Sequence, residues 1–168
     1  MGENTWLESD AEGNLLVLRQ DVNGVTEDDR RMLRVEGEMR LGEMVNRMQE
    51  VNVVASPGAV VTPKAFMATV EGGVYLFGLI NVSYIDLLLR LQAVLAGRVV
   101  ALGDVPWGRW RGVWNGVREE SEPERFVDGE LVEGFLDFGA KAQESVAGEV
   151  GKGVEEVREL VEGLRRLH

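Results

Sequence analysis

The rhythm of apolar and polar positions changes once along this chain, near Asn81. Before Asn81, short apolar runs are broken by glycine and proline. "NLLVLRQ" (Asn14 to Gln20) follows Gly13 and predicts a strand. "RMLRVEGEMRLGEMVNRMQ" sets Met32, Arg34 and Glu36 against Leu33 and Val35, then Met39, Leu41 and Glu43 against Arg40. A period of two interrupted by glycine predicts strands with bulges or close backbone approaches. "VTEDDRR" reads as an acidic, turn-like link between strands. "VNVVASPGAVVTPK" carries a Pro-Gly turn and a second proline. "AFMATVEGGVYLFGLI" places two apolar runs around Glu71-Gly72, which predicts an antiparallel hairpin over Ala65 to Leu79 with its turn at Glu71 to Gly73.

After Asn81 the period lengthens. Ser83 with Asp86 three residues later resembles a capping box. Tyr84, Leu87, Leu88, Leu91, Val94 and Leu95 then follow helical spacing, and Gly97 is a plausible stop. Asp128 can cap a helix carrying Leu131, Val132, Phe135 and Leu136, with Gly139 at its end. The clearest helix is the last: Val157, Leu160, Val161, Leu164 and Leu167. Strands first and helices afterwards predict an α+β fold with a boundary at residue 81, dividing residues 1–81 from 82–168. Trp107, Trp110 and Trp114 crowd into "WGRWRGVW" and are expected in the core with Phe126, Leu131 and Phe135, between the helices and the sheet.

Composition narrows the function classes. At 168 residues the chain holds one domain or two small ones, and 45% hydrophobic content is enough to build a core. Cysteine is absent, which excludes disulfides and thiolate metal sites. The longest apolar helix candidate, Leu87 to Leu95, is too short to span a membrane and contains Arg90. The polar start "MGENTWLESD" is unlike a signal peptide, and Trp6 breaks a myristoylation pattern. The net charge is −11; from Glu119 onward 14 acids face 6 bases. That balance repels phosphate backbones and counts against direct nucleic-acid binding, including base stacking by "WGRWRGVW".

Catalytic chemistry has little to work with. His168 is the only histidine. A Ser-His-Asp or Cys-His site therefore lacks its base, and a zinc site lacks its ligands. No phosphate-binding glycine motif is present. Asp128, Glu130, Glu133 and Asp137 are spaced as a helix cap and an outer helix face, not as an acid/base pair. No catalytic residue, metal ligand or cofactor is expected.

One stretch reads differently: "RFVDGELVEGFLDF", Arg125 to Phe138. It resembles the C-terminal signature of the damage-specific DNA-binding protein 1 family, within the larger group that includes the large subunit of the cleavage and polyadenylation specificity factor. Phe126, Val127, Asp128, Gly129, Glu130, Leu131 and Phe135 carry the match. Further pieces resemble the family in the same order. "RLGEMVN" is similar to its His-Leu-Gly-Glu-Phe-Val-Asn strand, "ATVEGGVYL" to its last propeller hairpin, and "YIDLLLRLQAVL" to its Tyr-x-x-Leu-Leu-x-x-Gln helix. "WRGVWN" before "EPERFVDG" resembles the segment leading to the signature, and the chain ends as the family ends, in a helix closing on His.

The resemblance implies that residues 1–81 are the last strands of a third β-propeller, and residues 82–168 a small helical C-terminal domain. It implies a C-terminal piece or truncated product of a much longer adaptor of a cullin-4 ubiquitin ligase. In that family another propeller holds the cullin, and a pocket receives WD-repeat substrate receptors. The signature residues Phe126, Asp128, Gly129, Leu131 and Phe135 would be architectural. The partner-binding residues would be Met44, Asn46, Arg47 and Val70, which match the pocket-lining strand and hairpin. The adaptor would serve DNA repair or chromatin and heterochromatin regulation; Arg47 stands where the family has an apolar residue and Met44 replaces Phe, a departure that suggests a diverged partner set of a fungal-type paralogue used in heterochromatin rather than repair. A nuclear location is implied, with or without a cytoplasmic pool. Two other readings remain: the matching fragment of an RNA-processing paralogue, and a stand-alone enzyme using the carboxylates from Asp128 to Asp137.

Overall fold

The computed structural model describes residues 4–54, 56–99, 103–113 and 123–167. Trp114, one of the expected core aromatics, lies outside them. The described residues form strands β1 (Thr5–Ser9), β2 (Asn14–Gln20), β3 (Leu33–Arg40), β4 (Val45–Glu50), β5 (Val61–Thr69) and β6 (Val74–Ile80). Helix α1 (Glu27–Arg31) interrupts them; α2 (Val82–Ala96), α3 (Trp107–Arg111), α4 (Gly129–Glu133), α5 (Ala140–Glu149) and α6 (Val154–Arg165) follow. The fold is α+β, with two three-stranded sheets ordered β1-β2-β3 and β4-β5-β6. By contacts the chain divides into two compact units, residues 1–49, 66–75 and 108–126 in one, and 50–65, 76–107 and 127–168 in the other.

In the first unit, β1 and β2 pair antiparallel through a turn that Asp10 closes. Its carboxylate accepts from the backbone N–H of Glu12 at 3.0 Å and of Asn14 at 2.9 Å. Gly13, at φ +78°, completes the turn; a Cβ there would lie 3.0 Å from the Glu43 nitrogen, so only glycine fits. β2 pairs with β3, but the register slips between Val17↔Gly37 and Leu18↔Val35, leaving Glu36 as the extra residue of a bulge. Leu15, Met39 and Leu41 are buried. Glu38 and Glu124 exchange backbone hydrogen bonds at 2.9 Å, so a late segment of the chain adds to β3. Gly37 permits this crossing, because a Cβ would stand 3.1 Å from the Glu124 carbonyl and 3.4 Å from the Phe126 ring.

The acidic link "VTEDDRR" is helical rather than a plain turn. Thr26 caps α1 and the Asp29 carboxylate reaches back to the Thr26 N–H, a reciprocal box that holds a five-residue helix burying nothing.

The second unit is built on α2, α4, α5 and α6. Leu88, Leu91, Leu95, Leu131, Val132, Phe135, Val146, Val157 and Val161 form its core, with Phe135 wholly buried. Asn81, not Ser83, caps α2 by accepting from the Ser83 N–H at 3.1 Å; Gly97 ends it. The helix from Asp128 is shorter than its spacing predicts. It ends at Glu133 and tightens into a 3-10 turn, Gly134–Asp137, while Gly139 becomes the N-cap of α5. The tightening aims Phe135 inward where a continuing α-helix would spread its apolar residues over more of the surface.

The aromatic expectations divide. Phe126, Leu131 and Phe135 are buried, and Trp107 is half-buried against the helical core. Trp110 is 50% exposed, contrary to expectation. Its ring lies near Gly42, where a Cβ would stand 3.9 Å from it.

Candidate functional site

The site proposed from sequence lies where β4 begins and the β5–β6 hairpin turns. The hairpin closes with Thr69 N–H donating to the Gly73 carbonyl at 2.9 Å, and Gly72 takes φ +98°. Val70 N–H donates to the Met44 carbonyl at 3.0 Å, which joins the turn to the residue preceding β4. With Val51 N–H bonded to the Lys64 carbonyl, the pairing of β4 and β5 runs antiparallel.

Glu43 organises this junction, and nothing in the strand pattern pointed to it. Its carboxylate accepts from the Thr69 hydroxyl at 2.6 Å and the Tyr75 hydroxyl at 3.0 Å, while Thr69 Oγ1 accepts from the Gly73 N–H at 2.8 Å. A Cβ on Gly73 would fall 2.6 Å from Glu43 Oε2, so glycine is required for the carboxylate to sit there. The only trace in the sequence is the "GE" of "RLGEMVN", which reads as strand.

All four predicted site residues are on the surface. Met44 is 42% and Val70 57% exposed; Asn46 and Arg47 are exposed on β4. Strand alternation sets Asn46 on the side of Met44 and Arg47 on the opposite one. β4 ends its sheet, and side chains on both of its faces are exposed. The structure thus joins the backbones of Met44 and Val70 directly and exposes Asn46 and Arg47 on the strand that follows. Among the described residues no cluster of three or more His, Asp or Glu could hold a metal ion, and no helix is long and apolar enough to cross a membrane.

The signature residues stand elsewhere. Asp128 caps α4, accepting from the Glu130 N–H at 3.1 Å and from Trp107 Nε1 at 3.0 Å, while its own N–H donates to Gln92 Oε1 at 2.7 Å. Gly129 opens α4, and Leu131 and Phe135 enter the core. Every polar atom of Asp128 named here is engaged in packing, so it is in no position to act on a substrate.

The family described as the CPSF A subunit region matches residues 1–137. The chain belongs to the CPSF A subunit family. The match ends at Asp137, so α5 and α6 lie beyond it. Among curated proteins, this CPSF A chain is 31% identical over 160 residues to DNA damage-binding protein 1 of Oryza sativa subsp. japonica, covering 92% of the chain and 14% of the relative. It is 29% identical to DNA damage-binding protein 1a of Arabidopsis thaliana and 26% to DNA damage-binding protein 1 of Schizosaccharomyces pombe, covering in each case 100% of the chain and 16% of the relative. The chain therefore spans about one sixth or less of the length of these relatives.

Proposed function

We propose that this chain is the C-terminal part of a non-enzymatic adaptor of the DNA damage-binding protein 1 type, acting by protein binding within a nuclear cullin-4 ubiquitin ligase. Residues 1–81 are then closing strands of a propeller, and residues 82–168 its helical domain. The relatives named above carry the damage-binding name, which supports this reading over the RNA-processing one. Contact with the cullin belongs to parts of the longer protein.

The observation that carries the reading is the exposed junction of Met44 and Val70. A receptor helix laid there covers two apolar side chains held together by a backbone hydrogen bond. Asn46 beside them offers a polar group to the partner's backbone. Arg47, on the far side of the edge strand, favours an acidic residue at the rim of the partner. A pull-down with the longer family protein tests this. Wild type brings down WD-repeat receptors; Asn46→Asp combined with Val70→Glu loses them while the far-UV circular dichroism stays that of wild type. Undiminished capture by the folded double variant would remove these residues from the site.

A further inference from the structure

A second surface lies in the first unit, at the far end of the β2–β3 pair. A groove of about 410 Å³ is lined by the end of β2, the loop from Asp21 to Asn23, the start of β3, and Arg125. Three guanidinium groups line it, from Arg19, Arg34 and Arg125, against two carboxylates. Glu36 is already engaged by Arg19 at 2.9 Å. Asp21 lies 3.7 Å from Arg34, and its other oxygen accepts from the Asn23 N–H. Arg125 makes no hydrogen bond or ion pair among the described residues. In a chain of net charge −11, this is a place where, among the described residues, cations outnumber acids by three to two.

Arg125 is also held in an unusual conformation. Its φ is +55°, a region that disfavours side chains other than glycine, asparagine and aspartate. Glu124 on one side is pinned to Glu38 by two backbone bonds, and Phe126 on the other is buried. The strain is sustained by these neighbours, and it delivers a guanidinium to the groove. In the "RFVDGELVEGFLDF" stretch Phe126, Asp128, Leu131, Val132 and Phe135 are buried, whereas Arg125 is exposed and makes no such contact. Beside it the groove exposes Val22 and Val35, 46% and 52% accessible.

We propose that this groove binds an acidic–aliphatic peptide segment of a partner protein, with one of its carboxylates on Arg125 and an aliphatic side chain over Val22 and Val35. A guanidinium grips a carboxylate through paired N–H groups, and the two valines supply the apolar contact. This surface is separate from the Met44–Val70 junction and does not depend on it.

The probe is a fluorescein-labelled peptide of alternating Glu and Val, titrated with the 168-residue chain and followed by anisotropy. A peptide with Lys in place of Glu is the control. Wild type binds the Glu peptide saturably, and affinity falls as salt rises. Arg125→Gly removes the side chain while relieving the positive φ, so the variant keeps the wild-type melting temperature or exceeds it. It weakens binding by about tenfold or more. Arg125→Glu abolishes binding, and Arg165→Ala on α6 changes nothing. Equal affinity for the Lys peptide, unchanged binding by Arg125→Gly, or no saturable binding by wild type would each overturn the proposal.

Discussion

Asp128 and Glu43 carry the most structure per side chain. Each joins segments far apart in sequence through hydrogen bonds that a hydrocarbon cannot replace. Asp128→Ala removes the α4 cap and leaves Trp107 Nε1 without its acceptor. Loss of a cap alone costs about 0.5–2 kcal/mol, so a urea midpoint lowered by about that stability is expected. Asp128→Asn recovers the cap alone, because the amide oxygen still accepts from the Glu130 N–H while the NH2 group cannot accept from Trp107 Nε1. Phe135, fully enclosed, has a larger effect: Phe135→Ala is expected to lose about 3–5 kcal/mol. A thermal melt equal to wild type would show that the helical core is centred elsewhere.

At the scale of elements, α1 buries nothing and is held by its cap together with surface contacts, the Arg31–Glu27 ion pair and the donation of Gln20 Nε2 to the Arg30 carbonyl. Hydrogen bonds from the Thr26 side chain and then its backbone lower the Asp29 carboxyl below its ordinary value; slight desolvation opposes this, and Arg34 adds attraction. A depressed folded value means that the contribution is complete above the unfolded carboxylate range and is lost as pH falls through the lower folded value. Local opening of α1, followed by amide exchange of Asp29 and its neighbours, should therefore rise at acid pH below that range. Asp29→Asn should open α1 even at neutral pH and flatten the dependence. A pH-independent exchange profile in wild type would exclude this cap as the source of order. The helix α5 depends on a different device. Gln143 faces inward, donating to the Phe135 carbonyl at 3.0 Å and accepting from Arg158 at 2.7 Å. Gln143→Leu keeps the volume but takes one hydrogen bond from each partner, the Phe135 carbonyl retaining the Phe138 N–H and Arg158 retaining Glu155, so a lower melting temperature is expected despite the added hydrophobicity.

For the molecule as a whole, strand edges are the exposed liability. β1, β4 and β6 end their sheets among the described residues, and Leu33 and Val35 of β3 are half exposed. Unpaired N–H and C=O groups on such edges recruit other chains. The 168-residue chain on its own should associate with rising concentration, read by light scattering, and the longer family protein should suppress this. A monomer that melts in one cooperative step would instead mark a self-sufficient unit. The Glu36 bulge and the charges of Arg34 and Glu36 blunt the edge of β3, so association through β1 or the β4–β6 sheet is favoured over β3.

Sequence alone determined the elements whose burial follows a simple period. The strand Asn14–Gln20 was legible as an apolar run after a glycine, and the hairpin over "AFMATVEGGVYLF" as two apolar runs around a turn; the last helix was legible because its inward residues recur at three and four positions. The resemblance carried by "RFVDGELVEGFLDF" likewise lay open, since it is a string of residues rather than a shape. β1 was not legible, because "TWLES" becomes a strand by pairing with β2, not through its own pattern. α5 was hidden because a glutamine occupies one of its core positions, and only Phe135 and Arg158 make that position tolerable. The exposure of Trp110 was not legible either, because its spacing with Trp107 and Trp114 does not say which of the three finds a partner in the core. Of the candidate site, its residues could be named from the strand wording, but their grouping could not. The Met44–Val70 bond and the Glu43 carboxylate held by Thr69 and Tyr75 come from contacts between segments, and a one-dimensional pattern contains no information about which distant backbone will meet it.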